Sequence, residues 1–216
     1  MTALQRLGGY AALTQAVLLV VLLLCFFFIF PSIGAVVPNE MQEPSEILEG
    51  IKGNRIGIAV TSASAIISCI VILLIAMGLR DRFGEAAANH IRLAIPAASI
   101  ASACFLINAI LAFTAYPQLA NLYAADRPDV VTSYRAILFI DYATFYAYLF
   151  SSGIFTLLIG SAGLKTNGLP RGLSYLLMIA GLIGMMTFVI PVLQFVGIFF
   201  AIAWGVWLGV VMIRHS

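Results

Sequence analysis

Charge is what this sequence has least of. Only 9% of its 216 residues are Asp, Glu, Lys or Arg, 62% are hydrophobic, and the mean hydropathy is +1.08. A soluble domain carries about 25% charged residues, so the composition excludes that class and points to an integral membrane protein. A net charge of +2 with no basic cluster excludes a nucleic-acid partner. The two histidines, His90 and His215, stand at the ends of apolar runs, which excludes a His pair clamping a haem inside a bilayer. The three cysteines, Cys25, Cys69 and Cys104, are far apart within apolar runs and form neither a C-x-x-C nor a metal-ligand spacing. They read as small buried apolar side chains, and no metal or cofactor is expected. H-E-x-x-H, G-x-x-x-x-G-K-[ST] and G-x-S-x-G are all missing. No catalytic residue can be assigned, and an intramembrane enzyme is the least supported class.

Long apolar runs are what the sequence does have. A helix needs about 20 apolar residues to cross the hydrocarbon core, and six stretches provide them: 10–33, 55–79, 91–116, 133–160, 171–190 and 192–213. Arg6 followed by the run 16–30 imitates a signal peptide. The run exceeds a signal core of about 7–15 residues, and "PSIGAVV" offers no small-x-small cleavage site, so a retained first helix is expected. Pro31, Pro117 and Pro191 mark segment ends, where a missing N–H costs little. "KTNGLPRG" (165–172) is a turn, and the last two spans form a tight hairpin at Pro191. The expected fold is an all-α polytopic membrane bundle of six transmembrane helices in a single domain, 1–216.

Orientation follows from Lys and Arg in alternate loops. Arg6, Arg80, Arg82, Arg92, Lys165, Arg171 and Arg214 fall on one side, seven in all; Lys52, Arg55, Arg127 and Arg135, four, fall on the other. The richer side is cytoplasmic, giving both termini inside. Of the outer loops, 38–55 carries Ile47, Leu48 and Ile51 at helical spacing, and 117–133 has room for a short turn before Pro128. Both are expected to lie on the bilayer as amphipathic connectors, with a lid over an outward cavity as the sharper alternative. No internal repeat supports an inverted-repeat transporter.

Helices in lipid associate through small residues. Ala201, Gly205 and Gly209 recur every four residues in the sixth span, Gly181 and Gly184 lie in the fifth, and Ala97 and Ala101 in the third. Packing within one bundle and homodimerisation through Gly205 and Gly209 are both open. Trp204, Trp207 and Tyr175 stand toward span ends, as interfacial residues do.

The fourth span, "SYRAILFIDYATFYAYLFSS", contains an acid, Asp141. A charge at mid-bilayer costs roughly 2.5–3.5 kcal/mol, so Asp141 must face protein or water. Asp141, Thr144, Tyr148, Ser152 and Thr156 form one stripe down the helix. Asn108, Thr61, Ser62, Ser64 and Gln194 are placed at similar depth, Tyr142 and Tyr146 flank the acid, and Arg55 is the best-placed cation. The ligand-binding set is thus Asp141, Asn108, Tyr142, Thr144, Tyr148, Arg55 and Gln194. The structural alternative is an Asp141 hydrogen-bonded to Asn108 or a Tyr, or paired with Arg55, that only holds helices together.

The long fourth span, "LIGSAGLKTNGLPRGLSYLLMIAGLIG" (158–184) and the ending "WGVWLGVVMIR" (204–214) together resemble a bacterial family of six-helix membrane proteins known as domain of unknown function 4386. Members often carry a His or a His-Asp pair near the start of the fourth span, where "FIDYATF" keeps only the acid. The resemblance implies the fold and a location in a bacterial inner membrane, not a mechanism. Two functions are therefore expected to compete. One is binding or transport of a small amphipathic or cationic ligand at Asp141. The other is a non-catalytic scaffold or accessory subunit contacting lipid, a second copy or another membrane protein.

Overall fold

The computed structural model describes residues 2–25, 27, 44–127 and 129–214. Pro31, Pro128, His215 and the start of the 38–55 loop lie outside them. Among the described residues all regular structure is helical: α1 (Ala3–Leu24), α2 (Pro44–Gly53), α3 (Arg55–Phe83), a 3₁₀ turn (Gly84–Ala87), α4 (Ala88–Ile110), a π-helical turn (Leu111–Ala115), α5 (Tyr116–Ala124), α6 (Val130–Thr166), α7 (Arg171–Met186) and α8 (Leu193–Arg214). The sequence-predicted spans fall on α1, α3, α4 with the π turn, α6, α7 and α8. Length and composition suffice for crossing a membrane in four helical runs: Ala3–Leu24, Arg55–Ala124, Val130–Thr166 and Leu193–Arg214. The second contains two predicted spans joined through Gly84–Ala87, and α7, with 16 residues, is shorter than the roughly 20 residues that cross a bilayer.

The polarity of the chain is inside out. Gln15, Ser62, Ser68, Ser102 and Thr156 are buried, while Ile56 is 82% and Phe139 74% exposed. Water would drive those apolar side chains inward; lipid does not. With such helices, the protein is membrane-embedded.

By its internal contacts the chain forms two compact units: residues 1–20, 68–104 and 146–216, and residues 21–67 and 105–145. In the first unit, α1 lays a small-residue face on α3 and α8. A Cβ on Gly8 would come within 3.0 Å of the Gly78 Cα, and one on Gly209 within 2.9 Å of the Gly9 carbonyl. A Cβ on Gly205 would lie 3.2 Å from the Ala12 carbonyl. The Gly205 and Gly209 face is thus filled by α1 of the same chain, and Ala201 packs against the same core. Gly153 of α6 and Gly181 of α7 bring two backbones equally close, each hypothetical Cβ meeting the other's carbonyl at 2.7 and 2.6 Å. Trp204 is buried in the core, whereas Trp207 and Tyr175 are exposed. Helix α6 stops at Asn167, whose φ of 53° supplies the left-handed residue that ends helices. Arg82 then holds the turn by donating from Nε to the Gly168 carbonyl at 2.9 Å. The α7–α8 hairpin closes at Pro191 as the sequence suggests.

In the second unit the apolar face of α2 does not lie on the bilayer. Ile47, Leu48 and Ile51 pack with Leu119, Ala120, Val130 and Tyr134, so the chain itself covers them. Pro117 does not end a helix either: it follows the π turn and α5 continues to Ala124. Proline at position 117 has no N–H and crowds the carbonyl four residues back. A π turn just before it widens the backbone there, with the Tyr116 N–H reaching the Leu111 carbonyl five residues earlier. The end comes at Asp126, with φ 56°. There Asp126 N–H donates to the Tyr123 carbonyl (3.0 Å) and Arg127 N–H to the Leu122 carbonyl (3.3 Å), a Schellman closure.

Candidate functional site

Asp141 lies on α6, half-buried, in the second unit. The Asn108 amide Nδ2 donates to its Oδ1 at 2.6 Å and to its main-chain carbonyl at 3.3 Å. The Tyr116 hydroxyl donates to Oδ2 at 2.8 Å. Both carboxylate oxygens are therefore held by neutral donors from the α4–α5 run.

The π turn makes this double grip possible. Asn108 and Tyr116 are eight residues apart, which in an unbroken α-helix leaves them about 80° apart around the axis. An i→i−5 turn takes up one extra residue and gives back about 100° of rotation, bringing both onto nearly one face. A tyrosine on a helix leans toward its N-terminus, and the Tyr116 ring thus reaches back toward Asn108.

Two other expected neighbours behave differently. Arg55 donates from Nη2 to the Asn121 Oδ1 at 2.7 Å; among the described residues no Lys or Arg pairs with Asp141. Thr144 donates to the carbonyls of Ile140 and Asp141, both at 2.9 Å, satisfying itself on its own helix. Ser152 and Thr156 likewise bond their own backbone. Tyr142 is half-buried beside the acid. Tyr148 and Gln194 belong to the first unit and are not among the groups bonded to Asp141.

Sequence reasoning missed Tyr116 and Tyr134. Tyr116 was hidden by the helical arithmetic that the π turn overrides. Tyr134 had a usable signal: it precedes Asp141 by seven residues, two turns along the same face. It is 1% exposed, its hydroxyl has no hydrogen-bond partner among the described residues, and its ring lies 6.1 Å from that of Tyr116 at 47°. The acid therefore belongs to a set of Asn and Tyr groups without a described cation.

The first unit offers less. Ser161 and His90 are hydrogen-bonded at 3.3 Å, but among the described residues no carboxylate orients the imidazole, so the pair lacks the third member of a hydrolytic set. A cavity of about 360 Å³ is lined by Leu4, Met77, Arg80, Asp81 and Gly84, none of them a residue of the Asp141 set.

An all-α helical bundle with an apolar exterior and a polar cluster on its long helices defines a membrane-embedded helical protein. Residues 15–213 match the family described as Domain of unknown function (DUF4386), and the chain belongs to that family. No curated protein and no solved structure matches it.

Proposed function

We propose that this is a multi-pass membrane protein, with both termini on the cytoplasmic side of a bacterial inner membrane, that binds a small cationic or amphipathic ligand at Asp141. The observation that carries the reading is a charge balance. Hydrogen bonds to a charged group contribute roughly 1.5–3 kcal/mol each, so Asn108 and Tyr116 together offset an insertion cost of about 2.5–3.5 kcal/mol. They allow an ionised carboxylate at this position, but they are neutral and cancel none of its charge. Arg55, the expected counter-ion, is bonded to Asn121 instead. A cation supplied from outside the chain would complete the site.

The rival reading makes Asp141 a structural clasp between α6 and the α4–α5 run. It is favoured by the fact that both oxygens already have partners within the chain. Native mass spectrometry of wild type and Asp141→Asn in gentle detergent separates the two. A discrete cationic or amphipathic molecule retained by wild type and lost in the variant is the expected result. Equal retention, or none in either protein, favours the clasp. A homodimer or membrane-protein partner would use a face other than Gly205 and Gly209, which α1 occupies.

A further inference from the structure

We propose that the π-helical turn Leu111–Ala115 is a register device: in its π form it holds the Tyr116 hydroxyl against Asp141 Oδ2, and its relaxation to α-helix withdraws that hydroxyl and opens the oxygen to a ligand. The last clause rests on the binding role given above to Asp141; the register itself does not.

Three observations lead to it. The Tyr116 N–H bonds to the Leu111 carbonyl, five residues back, so the turn contains one residue more than an α turn. The two donors to Asp141 flank the turn, Asn108 before it and Tyr116 after it. Pro117, immediately after, is the residue that favours the wide turn, because its ring crowds an α-helical carbonyl at position 113. A π bulge within a helix is an uncommon conformation and is frequent at functional sites.

Relaxation has a defined geometric result. Returning the turn to α geometry rotates α5 by about 100° relative to α4, which carries Tyr116 off the Asn108 face. Asn108 stays, since it precedes the turn. Asp141 thus keeps one donor and loses the other. The same rotation exchanges the faces of α5: Ala120, 2% exposed and packed in the cluster of Ile47, Leu48 and Tyr134, moves outward, and Leu122, 45% exposed, moves inward. The register can therefore be read without knowing the ligand.

The test uses the full chain in detergent with Cys25, Cys69 and Cys104 replaced by alanine, and a single cysteine introduced as Ala120→Cys or Leu122→Cys. The readout is the rate of reaction with N-ethylmaleimide, which follows access. In the otherwise unaltered chain, Ala120→Cys reacts slowly and Leu122→Cys fast. Adding Pro117→Ala removes the wedge, and the order is expected to invert, with Ala120→Cys then reacting faster than Leu122→Cys. Deleting Ala112 as well as substituting Pro117→Ala takes out the extra residue, so an ordinary α-helix then has the original register and the slow rate returns. That restoration also separates rotation from misfolding, because a misfolded protein is not repaired by a further deletion. Unchanged rates in Pro117→Ala, or a high rate that the deletion fails to restore, overturn the register device.

The ligand clause is read separately by adding a trimethylalkylammonium probe, dodecyltrimethylammonium, and counting bound copies by native mass spectrometry. Pro117→Ala and Tyr116→Phe are both expected to raise occupancy over wild type, and Asp141→Asn to abolish it. Inverted labelling with no Asp141-dependent probe binding would leave the register standing and defeat the opening of Oδ2 to a ligand together with the cation-site reading.

Discussion

A hydrogen bond to a charged group is felt most when one partner is removed and the other stays buried. Tyr116→Phe takes the hydroxyl from Asp141 Oδ2 and leaves the ring in place; it is expected to lower stability by roughly 1.5–3 kcal/mol, seen as a drop in the thermal midpoint in detergent. Asn108→Ala removes bonds to both Oδ1 and the main-chain carbonyl and should cost at least as much. Tyr134→Phe is the contrast. Its buried hydroxyl has no partner among the described residues, so removing it is expected to be neutral or stabilising by up to about 1 kcal/mol. A large loss there would mean that the hydroxyl has a partner in the membrane. At this scale the sequence was half legible. Asp141 announced itself as an acid in an apolar span, and Asn108 followed from depth. Tyr116 did not, because its alignment depends on a backbone register that residue spacing alone does not reveal.

Elements pack here through absent side chains. Gly181→Ala would place a methyl 2.6 Å from the Gly153 carbonyl. Backbone atoms must then move, and such overpacking typically costs about 1–3 kcal/mol, measurable by the same thermal scan. Gly53, at the end of α2, has open space around it and an ordinary backbone conformation. Gly53→Ala is therefore expected to stabilise by about 0.4–1 kcal/mol through the unfolded chain. Helix positions were readable because runs of apolar residues, not propensity, decide them in lipid. The misreadings share one cause. Pro117 was taken as a stop by a rule for uninterrupted α-helices, and α2 was placed on the bilayer because spacing shows that a face is apolar without showing what covers it. Leu119, Ala120 and Tyr134 cover it.

On the scale of the whole molecule, the balance of Lys and Arg predicts which loops face the cytoplasm. A cysteine at Asn167, beside Lys165 and Arg171, should be protected from an impermeant maleimide in intact cells, and one at Asp126 should react. Labelling of both positions from outside would overturn the proposed orientation. The membrane character itself was plain from composition, and the exposed Ile56 and Phe139 agree with it. The division into two compact units was not foreseen, since α3 and α6 each run through both and nothing in their composition marks the crossing points.

The glycine contacts of α1 also set an order of biogenesis. Helix α1 leaves the ribosome before α3 and α8, yet the surfaces that fit its Gly8, Gly9 and Ala12 face are Gly78 on α3 and Gly205 and Gly209 on α8. The α8 partner is made after all the other described helices. During synthesis α1 must wait in the lipid with one flank uncovered, where a chaperone or a protease can reach it. A chain truncated before Leu193 would never end that wait, and its rapid turnover in cells would be a defect of assembly timing, not of any single helix.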